Sequence, residues 1–185
     1  MILYIHGFRT TKNSHTSQIL KKYFKKDIIL AEHPTKPKDA IKYLEKLIEK
    51  DNITSIIASS LGGFYATFLS HKYNLKTVLI NPSVTPYKTT KIYLGENTTQ
   101  DGVIFKWKNK HLKQLRKFKI SKKSLKQKNF YLLLQKDDQV LNYKIANKYY
   151  DKGKIFLEKS GSHRFENLDK HLESVYAFLK WDIKS

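Results

Sequence analysis

Apolar residues fall along this chain in two alternating rhythms. Short runs that are apolar at nearly every position, such as "ILYIH", give way to longer stretches in which apolar side chains recur every three or four residues. The first pattern suits strands buried on both faces and the second suits helices with one buried stripe. Six runs are read as strands: "ILYIH", "DIILAEH", "TSIIAS", "KTVLINPS", "NFYLLLQ" and "KIFLEKS". Among the helices, "HTSQILKKYF" is expected to be capped by Ser17. "KPKDAIKYLEKLIEKD" has Pro37 in its first turn and Ala40, Ile41, Leu44, Leu47 and Ile48 on one face. "LGGFYATFLSHKY", "VLNYKIANKYY" and "ENLDKHLESVYAFLKW" follow, the last with Leu168, Leu172, Val175, Tyr176 and Leu179 on one stripe. Doubly apolar strands alternating with helices imply an α/β fold with a six-stranded, mostly parallel sheet covered by helices on both faces.

One region breaks the rhythm. No strand is expected from Val84 to Lys128, and Lys106–Lys128 carries 11 basic residues and no acidic one. Trp107, Leu112, Leu115 and Phe118 would line one side of a helix there. A long stretch between two strands reads as a short cap, here residues 84–128, inserted into a single domain spanning 1–185.

Composition narrows the picture. A domain of 185 residues buries about 70% of its unfolded surface and needs no staple. Cysteine is absent, which excludes a thiolate nucleophile and Cys-ligated metals and fits a reducing cytoplasm. "MILYIHGF" has no basic leader, and nowhere do 18 apolar residues run together. A soluble cytoplasmic protein without a membrane span is therefore expected. The net charge of +20 is the compositional extreme, but only three of the 36 basic residues are arginine: Arg9, Arg116 and Arg164. Base reading and bidentate phosphate contacts favour arginine, so lysines spread along the whole chain read as a solvated surface and disfavour a nucleic-acid partner.

Candidate chemistry begins at "SSLGG". A serine on a sharp strand-to-helix turn is a nucleophile elbow, and its strained backbone requires small residues two before and two after it. Ser60 is flanked in this way by Ala58 and Gly62, whereas Ser59 is flanked by Ile57 and Leu61. Ser60 is therefore the nucleophile candidate, with Gly63 allowing close packing of the following helix. A serine needs a base and the base an orienting acid, in the chain order Ser, Asp/Glu, His. Asp137 and Asp138 follow the fifth strand, and His163 follows the sixth. Backbone amides of Leu61, after the nucleophile, and of Phe8, after the flexible Gly7, are placed to stabilise an oxyanion. His6 then holds the loop. The histidines at 15, 33, 71, 111 and 171 lack metal-ligand spacing and read as surface or core residues, so no metal is expected; the acyl-transfer mechanism requires no cofactor.

At these residues the chain resembles the YqiA-like esterase family of small bacterial α/β-hydrolases. The resemblance lies in "YIHGF", "SSLGGFYAT", "LINPS", "YLG" at Tyr93–Gly95, "LLLQ" with the following Asp and Val-Leu, and Gly161, His163 and Phe165. It covers nearly the whole chain and is weakest across Thr98–Lys128. Matching on Val140-Leu141 makes Asp138 the acid, so the resemblance implies a triad of Ser60, Asp138 and His163. It also implies strand order 2-1-3-4-5-6 and hydrolysis of carboxylic esters or acyl-CoA thioesters through an acyl-enzyme. Two alternatives stand beside the esterase: a thioesterase or acyltransferase using the same triad, and a catalytically idle basic domain that docks nucleic acid or anionic membrane. In the enzyme readings the apolar side of Lys106–Lys128 would cover the acyl group and its lysines would attract an anionic substrate; the alternative for this segment is a solvated basic surface with no role in binding.

Overall fold

The computed structural model describes residues 1–180. In chain order the main elements are β1 (Ile2–Ile5), α1 (His15–Phe24), β2 (Ile28–Leu30), α2 (Pro37–Lys50), β3 (Ser55–Ser59), α3 (Leu61–Tyr73) and β4 (Lys76–Ile80). An insertion follows, built from α4 (Pro86–Thr89), β5 (Gly95–Thr98), β6 (Ile104–Trp107) and α5 (Asn109–Lys117). The chain then completes β7 (Phe130–Gln135), α6 (Tyr143–Tyr149), β8 (Lys154–Glu158) and α7 (Leu172–Lys180).

All six strands read from the sequence lie in one parallel sheet of order β2-β1-β3-β4-β7-β8, which is the expected spatial order. Alternation within each strand divides the core in two. Leu3, Ile5, Ile56, Ala58, Leu132 and Leu134 face a cluster shared with α2, α3, α5 and α6. Tyr4, Ile57, Val78, Ile80 and Leu133 face the other cluster, with Leu20 and Phe24 of α1 and Leu172, Val175 and Leu179 of α7. This double burial is why the central strands carry no polar face, whereas the edge strand β8 has no fully buried residue. The strand order reverses between β1 and β3, so the loops leaving their carboxyl ends diverge and open a crevice there.

Helix ends refine the sequence reading. The cap of α1 is Ser14, whose side chain accepts from the Ser17 amide; Ser17, expected as the cap, instead lies buried one turn inside. Pro37 opens α2 as expected. In the last segment Leu168 belongs to a separate 3₁₀ turn, and Tyr176 is 38% exposed beside the buried Leu172, Val175 and Leu179. Trp181, included in that expected helix, lies outside the described residues. Among the described residues no helix is long and apolar enough to cross a membrane.

The insertion departs most. Where no strand was expected, β5 and β6 pair antiparallel as a two-stranded sheet, from Gly95 opposite Trp107 to Thr98 opposite Ile104. Its polar residues hide the period, because only Asn97 and Trp107 of the hairpin strands are buried. The signal that could have revealed it is the turn pair Asp101-Gly102, with Gly102 at a φ of 87°. The expected helix is shorter: Trp107 ends β6, and Phe118 follows α5, stacking edge-on against Phe68 of α3 at 5.0 Å. Leu112 and Leu115 point into the core shared with α2 and α3, so the apolar side of this segment fills a structural layer and does not roof a cleft.

Candidate active site

The site grows from the turn between β3 and α3. Ser60 adopts φ 50° and ψ −122°, a conformation that non-glycine residues avoid. The two glycines after it make the turn possible, each toward a different neighbouring strand. A Cβ on Gly62 would overlap the carbonyl oxygens of Ile5 and His6 at the end of β1, and one on Gly63 would lie 2.7 Å from Pro82 Cβ beyond β4. The start of α3 is thus wedged between the strands on either side of β3, and only glycine fits both contacts.

That turn brings Ser60 to His163. Ser60 Oγ lies 3.0 Å from His163 Nε2, and His163 Nδ1 lies 2.8 Å from Asp138 Oδ2. The carboxylate requires a proton on Nδ1, which leaves Nε2 to accept from the serine hydroxyl. Asp138 Oδ1 is occupied by the amides of Val140 and Leu141, each at 2.8 Å, and the side chain is only 2% exposed. Asp137 is exposed and takes no part in this chain of bonds. Ser59 points elsewhere, its Oγ 2.9 Å from the Tyr4 hydroxyl. The structure therefore brings together Ser60, His163 and Asp138, and leaves out Ser59 and Asp137.

Both amides singled out as oxyanion donors are aimed by the same device. In a trans peptide the C=O and the following N–H point in opposite directions, and the described residues contain no cis bond. The Ser60 carbonyl accepts from the amides of Gly63 at 3.0 Å and Ser83 at 2.9 Å, which turns the Leu61 N–H the other way. Leu61 is also the first residue of α3, where helix amides lack an internal acceptor. The Gly7 carbonyl accepts from His6 Nδ1 and Thr10 Oγ1, both at 3.0 Å, which turns the Phe8 N–H away from them. Gly7 itself lies against Ser60: a Cβ there would fall 3.0 Å from Ser60 Cβ.

His6 reaches into this loop through its Nδ1 bond to the Gly7 carbonyl. It stacks on His33 with ring centroids 4.0 Å apart, and burial together with His33 pushes its pKa down to about 3. His33, read only as a surface or core residue, is buried and its own pKa is lowered by burial. A neutral His6 ring suits a single Nδ1–H donor.

The insertion reaches the site through its hairpin. Phe8 packs against Tyr93, Phe105 and Trp107, with centroids 5.4, 5.7 and 4.9 Å away. The Gln100 amide donates to the Arg9 carbonyl at 2.9 Å. The cleft over Ser60 and His163 has a volume of about 760 Å³ and is bordered by Thr89, Thr90, Ile92, Tyr93 and Thr98–Gln100 of the insertion; nothing from Lys106–Lys128 lines it. That range suits a small-molecule site.

Two residues missed in the sequence reading secure the histidine loop. Asn81, at φ 40°, donates to the carbonyls of Ser162 at 3.0 Å and His163 at 3.3 Å and accepts from the Gln135 amide at 3.0 Å. Gln135 is fully buried; its Oε1 accepts from the Ser162 and Glu166 amides at 2.9 and 3.0 Å. Gly161, at φ 115°, leaves the space that the Gln135 amide fills. The available signal was a polar residue ending an otherwise apolar strand, "LIN" and "LLLQ". Among the described residues no cluster of side chains could hold a metal.

Comparison with known proteins identifies the family and the fold. Residues 1–180 match the model of a family described as "Uncharacterised protein family (UPF0227)". A UPF0227 protein of Shewanella woodyi is 28% identical over 188 residues, covering 97% of this chain and 99% of that protein. The UPF0227 protein YcfP of Escherichia coli O9:H4 is 24% identical over 196 residues, covering 96% and 98%. Among solved structures, mouse alpha/beta hydrolase domain-containing protein 10 superposes with a TM-score of 0.71 at 16% identity, covering all of this chain and 90% of that one. Est1E from Butyrivibrio proteoclasticus gives 0.71 at 13% identity, covering 97% and 85%. The fold is that of the α/β-hydrolases, as the motifs implied.

Proposed function

The chain belongs to the UPF0227 family, and from that premise and the geometry of the site we propose that it is a serine hydrolase cleaving carboxylic esters through an acyl-enzyme. The observation that carries this reading is the unbroken chain Ser60–His163–Asp138 on a strained elbow. A basic docking domain has no use for that conformation, which costs on the order of 1–3 kcal/mol.

The chemistry follows from the atoms. Ser60 Oγ attacks the ester carbonyl carbon as its proton passes to His163 Nε2. Asp138 stabilises the imidazolium and fixes its orientation. The carbonyl oxygen, now an anion, is met by the amides of Leu61 and Phe8. The bond to the leaving oxygen breaks as His163 returns the proton to it, giving the alcohol and an acylated Ser60. Water, deprotonated by the same nitrogen, attacks the acyl carbon and releases the acid. A thioester would follow the same steps with a sulfur leaving group.

The test is hydrolysis of p-nitrophenyl esters and acyl thioesters of graded chain length by the wild type and by Ser60→Ala. Turnover by the wild type that disappears in the variant supports the reading, and the series ranks ester against thioester. Turnover that survives Ser60→Ala, or none on any substrate, contradicts it.

A further inference from the structure

The chain has 36 basic residues, only three of them arginine, yet the cleft over Ser60 selects for the rare type. Among the described residues, Arg9 and Arg164 are the only arginine or lysine side chains that line it, and no aspartate or glutamate does. A surface basic merely through composition would present lysines there.

Both arginines are placed by local structure. Arg9 follows Phe8 at φ 61°. Its Nε donates to the Thr98 carbonyl at 3.1 Å, and its guanidinium lies 5.8 Å from the Tyr93 ring centroid. Nε is thus used for anchoring, and the two terminal nitrogens of the fork stay available. Arg164 sits in a tight turn closed by the Phe165 amide on the Ser162 carbonyl at 3.0 Å. That turn buries Phe165 and leaves Arg164 exposed next to His163. Neither guanidinium has a carboxylate partner among the described residues. The acidic Glu32, Asp39 and Asp101 line a separate cavity of about 460 Å³, which Phe8 and Arg9 also border. The lining of the cleft over Ser60 carries exposed apolar side chains among its threonines and glutamines: Ile92 is 81% and Val140 52% exposed.

Two guanidinium groups without carboxylate partners on the cleft that holds the nucleophile, together with the exposed Ile92 and Val140, fit a substrate with an apolar part and an anionic end. A planar fork binds carboxylate or phosphate oxygens in pairs, which lysine cannot do. Resting on the hydrolase reading, we propose that the preferred substrates are esters bearing a carboxylate or phosphate group, which Arg9 and Arg164 hold while Ser60 attacks. The lysines of Lys106–Lys128, lying outside the cleft, then add only long-range attraction.

The test compares matched esters, each rate divided by its alkaline hydrolysis rate. p-Nitrophenyl hemisuccinate against p-nitrophenyl butyrate places the charge on the acyl side. 4-Acetoxybenzoate and 4-acetoxyphenyl phosphate against phenyl acetate place it on the leaving side and separate carboxylate from phosphate. At least one anionic ester should exceed its neutral partner about tenfold or more in kcat/KM, the scale of one charge-assisted contact. Arg9→Gln and Arg164→Gln should each bring that ratio toward one. Lys46→Gln/Lys50→Gln, on the distant α2, should leave it unchanged. A ratio near one in the wild type, or one indifferent to both arginine substitutions, overturns the proposal while neutral-ester turnover keeps the hydrolase reading. If no ester is turned over, calorimetric titration with 4-hydroxybenzoate and 4-hydroxyphenyl phosphate decides. Binding lost in both arginine variants supports the anion site, and no binding overturns it.

Discussion

Around Ser60 the chain is positioned by what it leaves out, and around His163 by what is added. The elbow depends on missing side chains: Gly62 against the Ile5 and His6 carbonyls, Gly63 against Pro82, Gly7 against Ser60 itself. The histidine loop depends on two amide side chains, Asn81 and Gln135, which tie Ser162, His163 and Glu166 to the ends of β4 and β7. Steric exclusion gives a rigid position with no adjustable part. A hydrogen-bonded buttress can be weakened bond by bond. Substitutions should therefore act abruptly on the first loop and in gradations on the second.

The largest effect is expected where the two loops meet. Asp138→Asn should lower kcat by about 10⁴, the scale seen when a triad acid loses its charge and the wrong imidazole tautomer forms. Asp137→Asn, on an exposed side chain, should cost little. Comparable losses in both, measured by steady-state kinetics, would move the acid role toward Asp137.

The steric loop comes next. Gly62→Ala should destabilise the fold by more than the roughly 1–3 kcal/mol of ordinary overpacking, because the obstacle is backbone. Urea unfolding gives this directly, and a wild-type midpoint would show that the elbow can yield. On the buttressed loop, Gln135→Ala removes the acceptor for two amides, costing about 1–3 kcal/mol. It should also lower kcat about tenfold by loosening His163. Full activity at reduced stability would make Gln135 structural only.

This contrast also explains how much was legible. The elbow is local: five consecutive residues and the size of their side chains single out Ser60 over Ser59. The central strands were legible because burial on both faces makes them apolar at nearly every position. Asn81 and Gln135 act on residues 27 to 82 positions away, and nothing near them in sequence says which loop they hold. The hairpin of β5 and β6 was hidden because Glu96, Thr98 and Lys106 face outward, so its alternation reads as a polar loop. His33 was passed over because its partner is a histidine in another strand-end loop.

A smaller effect should appear with pH in the loop after β1. His6 is held neutral down to about pH 3, whereas in the unfolded chain a histidine takes up a proton below about 6.5. Between these values the unfolded state binds more protons, so stability falls as pH drops through that window and is unaffected above it. His33, also lowered by burial, adds in the same direction. His6→Asn should flatten the fall in urea midpoint between pH 6.5 and 4.5; an unchanged slope would assign it elsewhere.

The claim that Ser60 is the activated nucleophile is tested most directly by labelling the folded protein with a fluorophosphonate and mapping the modified residue by mass spectrometry. The account predicts a single adduct on Ser60, retained in Ser59→Ala and lost when His163 is replaced by alanine. An adduct on Ser59, or labelling of Ser60 that does not depend on His163, would contradict it.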